Sequence, residues 1–394
     1  MAMRDHHHAE GGQANQGHTT PGQLHTEFKK DSPPLLGKGH VLDFYAIKEM
    51  ISLGGFGQIF SGYDIRTQEP VAIKVESNNA LVTLLRNEGT CLQHLHQTYS
   101  CNGENVDKAP FLKFLAYGKT EIVRFLVMEQ CGKNLRELKR ETSKDQFSMT
   151  TSLYIMQEMV TALRYMHNAG WIHRDVKPAN FCIGLEDVRR IYLIDFGMCR
   201  YYLQTDGSLK PRQSHASFHG TVRYVSLNVH DRQDISRWDD LWSLFYVTVE
   251  HMCSQLPWRM VNDRDKVAQM KRAFSPETLK YGEDSHMPHA IAFLKYYLDS
   301  AASDPANYFY YAPPYSTFLA ETTNELSCRG YTCNTLLDWQ RTTSDEQSDN
   351  SPMSDYVANH FRQSPADEAI AKQAYQEICD KRRQVQNSCS VYYI

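Results

Sequence analysis

The sequence has no apolar run of 18 residues, and its start lacks the apolar stretch of a secretory leader. Neither a spanning helix nor an export signal is therefore expected. It has no positive excess either. Net charge is −4 and the isoelectric point about 6.5, so no overall field favours a nucleic-acid partner. The ten cysteines are scattered, and Cys328 and Cys333 have no second pair to complete a zinc spacing. Reduced thiols are expected, a disulfide among the last few being the alternative. No internal repeat is present, which removes solenoids. These absences leave a monomeric globular chain expected in the cytoplasm, with the nucleus open to it and no membrane contact.

The 394 residues allow two or three domain-sized units. Residues 1–40, rich in His, Gly, Gln and Thr, read as a disordered extension; His6-His7-His8 in it is not taken as a metal site. Residues 41–131 show strand patterns at Tyr45–Ile47, Gln58–Tyr63 and Val71–Val75. A helix from about Leu81 to His94 follows, then strands near Phe111–Tyr117 and Ile122–Met128. That is a small antiparallel sheet with one helix. Residues 132–340 turn helical, with long apolar patterns over Met149–Ala169 and Trp238–Cys253. The class expected is α+β in two lobes. Residues 341–394 form a tail whose Ser364-Pro365-Ala366-Asp367 predicts a helix over 365–384.

Ile172 to Asn180 sets an acid, a base and an amide into one turn-prone loop. Phosphoryl transfer needs those types: Asp175 to take the attacking hydroxyl's proton, Lys177 to neutralise the γ-phosphate, Asn180 as a neutral oxygen ligand for Mg²⁺. Asp195-Phe196-Gly197, a short hairpin later, supplies the second metal ligand in Asp195. Ser52-Leu53-Gly54-Gly55-Phe56-Gly57 is a turn whose backbone can approach phosphates, although glycine turns more often serve plain hairpins. Lys74 follows on an apolar strand, with Glu88 on the next helix as its partner. A solvated lysine and an unrelated acid is the bland alternative. Asp240 is expected to bond the loop backbone from the central helix. Thr221 is expected beside Asp175, and Arg174 is open to either a structural or a phosphate-binding role.

The ordered motifs resemble the protein kinases. Gly220-Thr221-Val222-Arg223-Tyr224, Ser226-Leu227-Asn228, Asp239 to Tyr246, Gln255 to Arg259 and Asp338-Trp339 make residues 41–340 similar to the casein kinase group, and within it to the tau-tubulin kinases. The resemblance implies the two-lobed kinase fold and a serine/threonine protein kinase using ATP and Mg²⁺. It implies nucleotide contacts at Ile51, Gly54, Gly55, Gly57, Ile59, Ala72, Lys74, Glu88 and Met128, with backbone contacts at Glu129 and Cys131. It also implies acidic or already phosphorylated protein substrates. Arg223 and Lys210 are the expected anion site, with Arg212 and Lys271 widening it. Ser52 and His219 depart from the family pattern. A pseudokinase scaffold binding partner proteins is the alternative, disfavoured because Lys74, Glu88, Asp175, Asn180 and Asp195 are all present. A small-molecule kinase is disfavoured by the segment Gly220 to Asn228.

Overall fold

The computed structural model describes residues 33–341 except 55, 56, 81, 102–108, 283 and 285. The chain divides into two units, Met1–Trp339 and Gln340–Ile394. The second falls almost wholly outside the described residues, as does the helix expected over 365–384. So does the extension up to residue 32.

The first unit opens with β1 (Val41–Leu42), β2 (Tyr45–Gly54), β3 (Gly57–Asp64) and β4 (Pro70–Ser77). Helix α1 (Leu85–Cys101) follows, then β5 (Phe114–Lys119) and β6 (Val123–Glu129). The six strands form one antiparallel sheet in the order β1-β2-β3-β4-β6-β5. Alternation along β4 sorts its side chains. Val71, Ile73 and Val75 enter the sheet's own core with Phe60, Phe125 and Val127, while Ala72 and Lys74 take the opposite face.

Two expected boundaries need correction. The packed domain starts before residue 41: Leu36 is buried in the sheet core, and the buried Gln58 amide bonds Leu35 N at 2.7 Å and Pro33 O at 2.8 Å. Helix α1 starts at Leu85 and runs on past His94 to Cys101. The Leu84 N–H is taken by the Glu76 carboxylate at 3.3 Å before the helix begins, and buried Leu95 and Tyr99 extend its apolar stripe.

The helical part comprises α2 (Leu135–Glu141) and α3 (Met149–Asn168), then four short strands: β7 (Trp171–Ile172), β8 (Phe181–Ile183), β9 (Ile191–Leu193) and β10 (Arg200–Tyr201). These pair as β8 with β9 and β7 with β10. Next come α4 (Leu227–His230), α5 (Arg237–Cys253), α6 (Arg264–Arg272), α7 (His289–Ala302) and α8 (Tyr315–Cys328). Helices α3 and α5 form the centre, buried on nearly every side as their apolar patterns require. Asp338 fastens the start of α3, accepting from Ser148 N at 2.5 Å, Ser148 Oγ at 2.7 Å and Thr151 Oγ1 at 2.9 Å. Among the described residues no helix is long and apolar enough to cross a membrane.

Candidate active site

Lys74 reaches the space between sheet and helices because β4 turns it away from the sheet's own core. Its Nζ meets Glu88 Oε2 at 2.6 Å and Asp195 Oδ1 at 2.8 Å. Burial alone would lower the lysine, but Asp195 and Glu88 outweigh it and hold the ammonium above its ordinary pKa. Burial likewise works against Asp195, yet Lys74 beside it brings the carboxyl down to about 2. Glu88 is raised by its own burial, against the pull of Lys74. Asp195 stands in the left-handed region at φ 66°, and Phe196 behind it is buried edge-on against Phe111 and His173, both at 5.8 Å.

The loop between β7 and β8 is held from below. Asp240, on α5, accepts from His173 N at 2.7 Å and Arg174 N at 2.9 Å, and meets His167 Nε2 at 2.8 Å. The expected tie from the central helix is thus present, with His167 as a further member that a helical apolar pattern gave no sign of. Arg174 takes the structural alternative in this structure: φ is 67°, and its Nε donates to the Met198 carbonyl at 2.7 Å. Burial brings its guanidinium down to about 10.

Asp175 sits 5% exposed above this support. Its two carboxylate oxygens are shared out, Oδ2 to Lys177 Nζ at 2.5 Å and Oδ1 to Thr221 Oγ1 at 2.7 Å. Thr221 can stand there because Gly220 precedes it at φ 97°, where a Cβ would lie 2.5 Å from the Arg174 carbonyl oxygen. Asn180 Nδ2 donates to the Asp175 carbonyl at 2.9 Å, and its own carbonyl takes Ile194 N at 2.9 Å, one residue before Asp195. The donors fit a hard divalent cation. Asn180 keeps its amide oxygen, Asp195 is fully ionised with Oδ1 on Lys74, and both are oxygen ligands of the kind Mg²⁺ takes.

The other nucleotide candidates line up on the strands. Ile59 pairs with Lys74 across β3 and β4, and Ala72 pairs with Met128 across β4 and β6. Gly54 pairs with Gly57, and Ile51 is half exposed near a register shift in β2. Gly55 lies outside the described residues. Gly57 has a reason for lacking a side chain within the fold itself: a Cβ there would stand 2.5 Å from the Val75 carbonyl oxygen. Beyond Glu129 the chain runs beside β8, with Gly132 N on Ile183 O at 2.8 Å, so Cys131 and the buried Cys182 belong to one packed cluster.

The substrate side differs from expectation. Arg223 spends its guanidinium on the domain: Nη1 meets Glu250 Oε1 at 3.3 Å and Nη2 the Arg259 carbonyl at 3.4 Å. Lys210 donates to the Tyr201 carbonyl at 2.8 Å, and Arg212 to Pro305 O at 2.9 Å and Gln233 Oε1 at 3.0 Å. Lys271 does not widen any surface. It is buried, donates to Val222 O at 2.8 Å and Val225 O at 2.5 Å, and burial drives its pKa well down. Beside Lys177 and Thr221 lies a cavity of about 470 Å³ walled by Arg136, Arg223, Arg259 and Trp258. Arg136 escaped the sequence reading because nothing in the sequence places the start of α2 against this cavity. Arg259 was visible there only as part of a motif.

Residues 45–328 match the family model described as protein kinase domain. The chain belongs to the protein kinase family. It is similar to a probable serine/threonine-protein kinase of Dictyostelium discoideum, 36% identical over 270 residues, covering 68% of this chain and 52% of that protein. A putative casein kinase I of Caenorhabditis elegans is 30% identical over 241 residues, covering 61% of this chain and 68% of that protein. Casein kinase I homolog 3 of Schizosaccharomyces pombe is 32% identical over 219 residues, covering 55% of this chain and 47% of that protein. The chain thus spans about half the length of the Dictyostelium kinase. The expected two-lobed kinase fold holds, with an antiparallel-sheet lobe and a helical lobe.

Proposed function

We propose that the protein transfers the ATP γ-phosphate to serine or threonine in acidic or already phosphorylated protein segments. The observation that carries the transfer is the division of Asp175 between Lys177 and Thr221, with Lys177 near enough to Asp195 to help keep that carboxylate ionised beside Lys74. A substrate hydroxyl entering beside Thr221 gives its proton to Asp175 as its oxygen bonds the γ-phosphorus and the bond to the ADP oxygen breaks. Lys177 neutralises the transferred group. Lys74 steadies the nearer phosphates, and Glu88 keeps Lys74 in place. Asn180 and Asp195 would hold Mg²⁺, which supplies charge neutralisation for the phosphate oxygens.

The five groups whose loss would favour a scaffold are all present: Lys74 bonds both Glu88 and Asp195, and Asn180 donates to the Asp175 carbonyl. The Ser226-Leu227-Asn228 segment and Arg259 support placement in the casein kinase group, near the tau-tubulin kinases. We also infer a monomer working in the cytoplasm or nucleus; the free thiols at Cys91, Cys131, Cys182 and Cys199 suit a reducing compartment. The test is phosphate transfer to casein and to an acidic serine peptide by the full chain with ATP and magnesium. No transfer above that of Asp175→Asn would refute the reading.

A further inference from the structure

Two pairs of thiols face each other inside the domain, and neither pair of sulfurs takes part in the transfer described above. Cys91 on α1 lies one helical turn past Asn87, whose Nδ2 donates to Cys199 Sγ at 3.5 Å, and the two thiols bond each other. Both are buried, at 0% and 3% exposure. Burial, and then the bond to Cys199, raises Cys91 well above the usual thiol pKa, so this pair offers neither a thiolate nor a way in. The second pair is built differently. Past the end of β6 the chain turns along β8. Gly132 N donates to Ile183 O at 2.8 Å, Ile183 N to Lys133 O at 3.0 Å, and Asn134 stands opposite Cys182 in an antiparallel bridge. Those bonds hold Cys131 against Cys182, and the Cys182 thiol donates to the Cys131 sulfur. Cys182 is 1% exposed, whereas Cys131 is partly open to solvent. The bond from Cys182 brings the Cys131 thiol below its usual pKa against its own burial, while burial and the same bond raise Cys182 well above it. One thiol is an accessible nucleophile and the other its covered neighbour. That is the arrangement of a peroxide-sensing cysteine and the thiol that resolves it.

We propose that Cys131 and Cys182 form an oxidative modification site that takes hydrogen peroxide and closes to a disulfide at the edge of the nucleotide site. The Cys131 thiolate attacks one peroxide oxygen, the O–O bond breaks, and the other oxygen leaves as hydroxide to be protonated to water. Cys131 is then a sulfenic acid. The Cys182 sulfur attacks it, the S–S bond forms, the S–O bond breaks, and the hydroxide departs with the Cys182 proton as a second water. Two thiols have lost two electrons and the peroxide has gained them. The effect on transfer rests on the reading of the Cys131 N–H as an adenine contact. Cys182 stands in β8 two residues after Asn180, so the bond ties the adenine edge to the loop that carries the metal ligand. Bonded sulfurs sit closer than hydrogen-bonded ones, and closure therefore draws the Cys131 N–H away from where a purine would meet it.

The experiment treats the full chain with hydrogen peroxide, with and without ATP and magnesium, and stops it with catalase. Samples are alkylated and digested without reductant for mass spectrometry, and phosphate transfer to casein is read before and after dithiothreitol. Wild type should yield a peptide pair joining Cys131 to Cys182, lose about tenfold or more of its transfer, and regain it in dithiothreitol. ATP should slow both changes. Cys131→Ala should hold its own untreated rate through the treatment. Cys182→Ala should instead carry Cys131 as a sulfinic acid that dithiothreitol does not restore. Removing the exposed pair, in Cys328→Ser with Cys333→Ser, should leave the response as in wild type. No link between Cys131 and Cys182 in wild type, a link of Cys91 to Cys199 in its place, or equal inactivation of Cys131→Ala overturns the site. Linkage that leaves transfer unchanged, or runs at one rate with and without ATP, overturns the adenine contact of Cys131 and leaves the site standing. The mass spectrum needs no activity, so failure of the site and failure of the kinase reading are told apart.

Discussion

Asp240 never meets a substrate in this arrangement, yet the reacting residues depend on it. Burial opposes its ionisation, but His167 and then His173, whose amide it accepts from, bring its pKa below the ordinary value, so it stays an acceptor. Asp175, held above it, has both oxygens committed to Lys177 and Thr221. Asp175→Asn should cut phosphate transfer by about 10²–10⁴ while ATP still binds, measured by turnover beside a nucleotide-induced thermal shift. Cys131, next to the buried Cys182, tests the nucleotide side. A thiol-alkylating reagent should modify it more slowly when ATP is present, and equal rates would remove Cys131 from the pocket. Residues such as Asp175, Lys177, Asn180 and Asp195 were legible because one loop and one turn hold them at fixed spacing. Arg223 and Lys271 were not, since Glu250 and the carbonyls of Val222 and Val225 meet them only through the folded chain.

The stretch from β10 to α4, residues 200–228, illustrates what holds an element in place. Arg200 meets Asp234 at 2.6 Å, the same acid accepts from Gln213 N at 2.9 Å, and β10 pairs with β7. Ser226 and Asn228 bond Asp239 at 2.6 and 3.2 Å, which gives the segment's far end its own anchor. The hydroxyls that could be phosphorylated, Thr205, Ser208, Ser214 and Ser217, are all exposed. Phosphatase-treated protein should therefore keep most of its activity, and a loss of about tenfold would contradict this.

Helix α5 carries the pH response. His251 is fully buried against Phe147, neither ring nitrogen has a hydrogen-bond partner among the described residues, and burial brings it down to about 3. A depressed histidine leaves the unfolded chain holding more protons, so stability falls as pH drops below the ordinary value of about 6.5. By pH 5 the loss is about 2 kcal/mol, being 1.5 pH units at about 1.4 kcal/mol each. Asp239 works in reverse. Burial raises it to about 6, so its share of stability declines as pH rises from about 4 to 6. His251→Leu should melt at a more nearly equal temperature at pH 7 and pH 5 than wild type does. Strand and helix types were readable from periods of two and 3.6. The start of α1 was not, because a carboxylate on β4 decides it.

At the scale of the whole molecule, the change from strand to helix texture near residue 131 made two lobes visible in the sequence. The closing role of Asp338 was not visible, since its partners lie about half the chain away. Trp339 adds to the closure, packing on Phe147 at 5.8 Å and donating to Val188 O at 3.0 Å. A chain ending after Arg341 should keep phosphate transfer, whereas one ending after Leu336 should melt at markedly lower temperature or fail to fold, by circular dichroism. The clasp also has a timetable. Ser148 and Asp338 are 190 residues apart, a stretch that takes roughly 10–40 s to synthesise at about 5–20 residues per second. For that interval α3 emerges without its far clasp, and the apolar faces of α3 and α5 wait for a residue the ribosome has not yet added. A newborn chain is most exposed to chaperones and proteases in that window, and the last two residues of the domain decide when it closes.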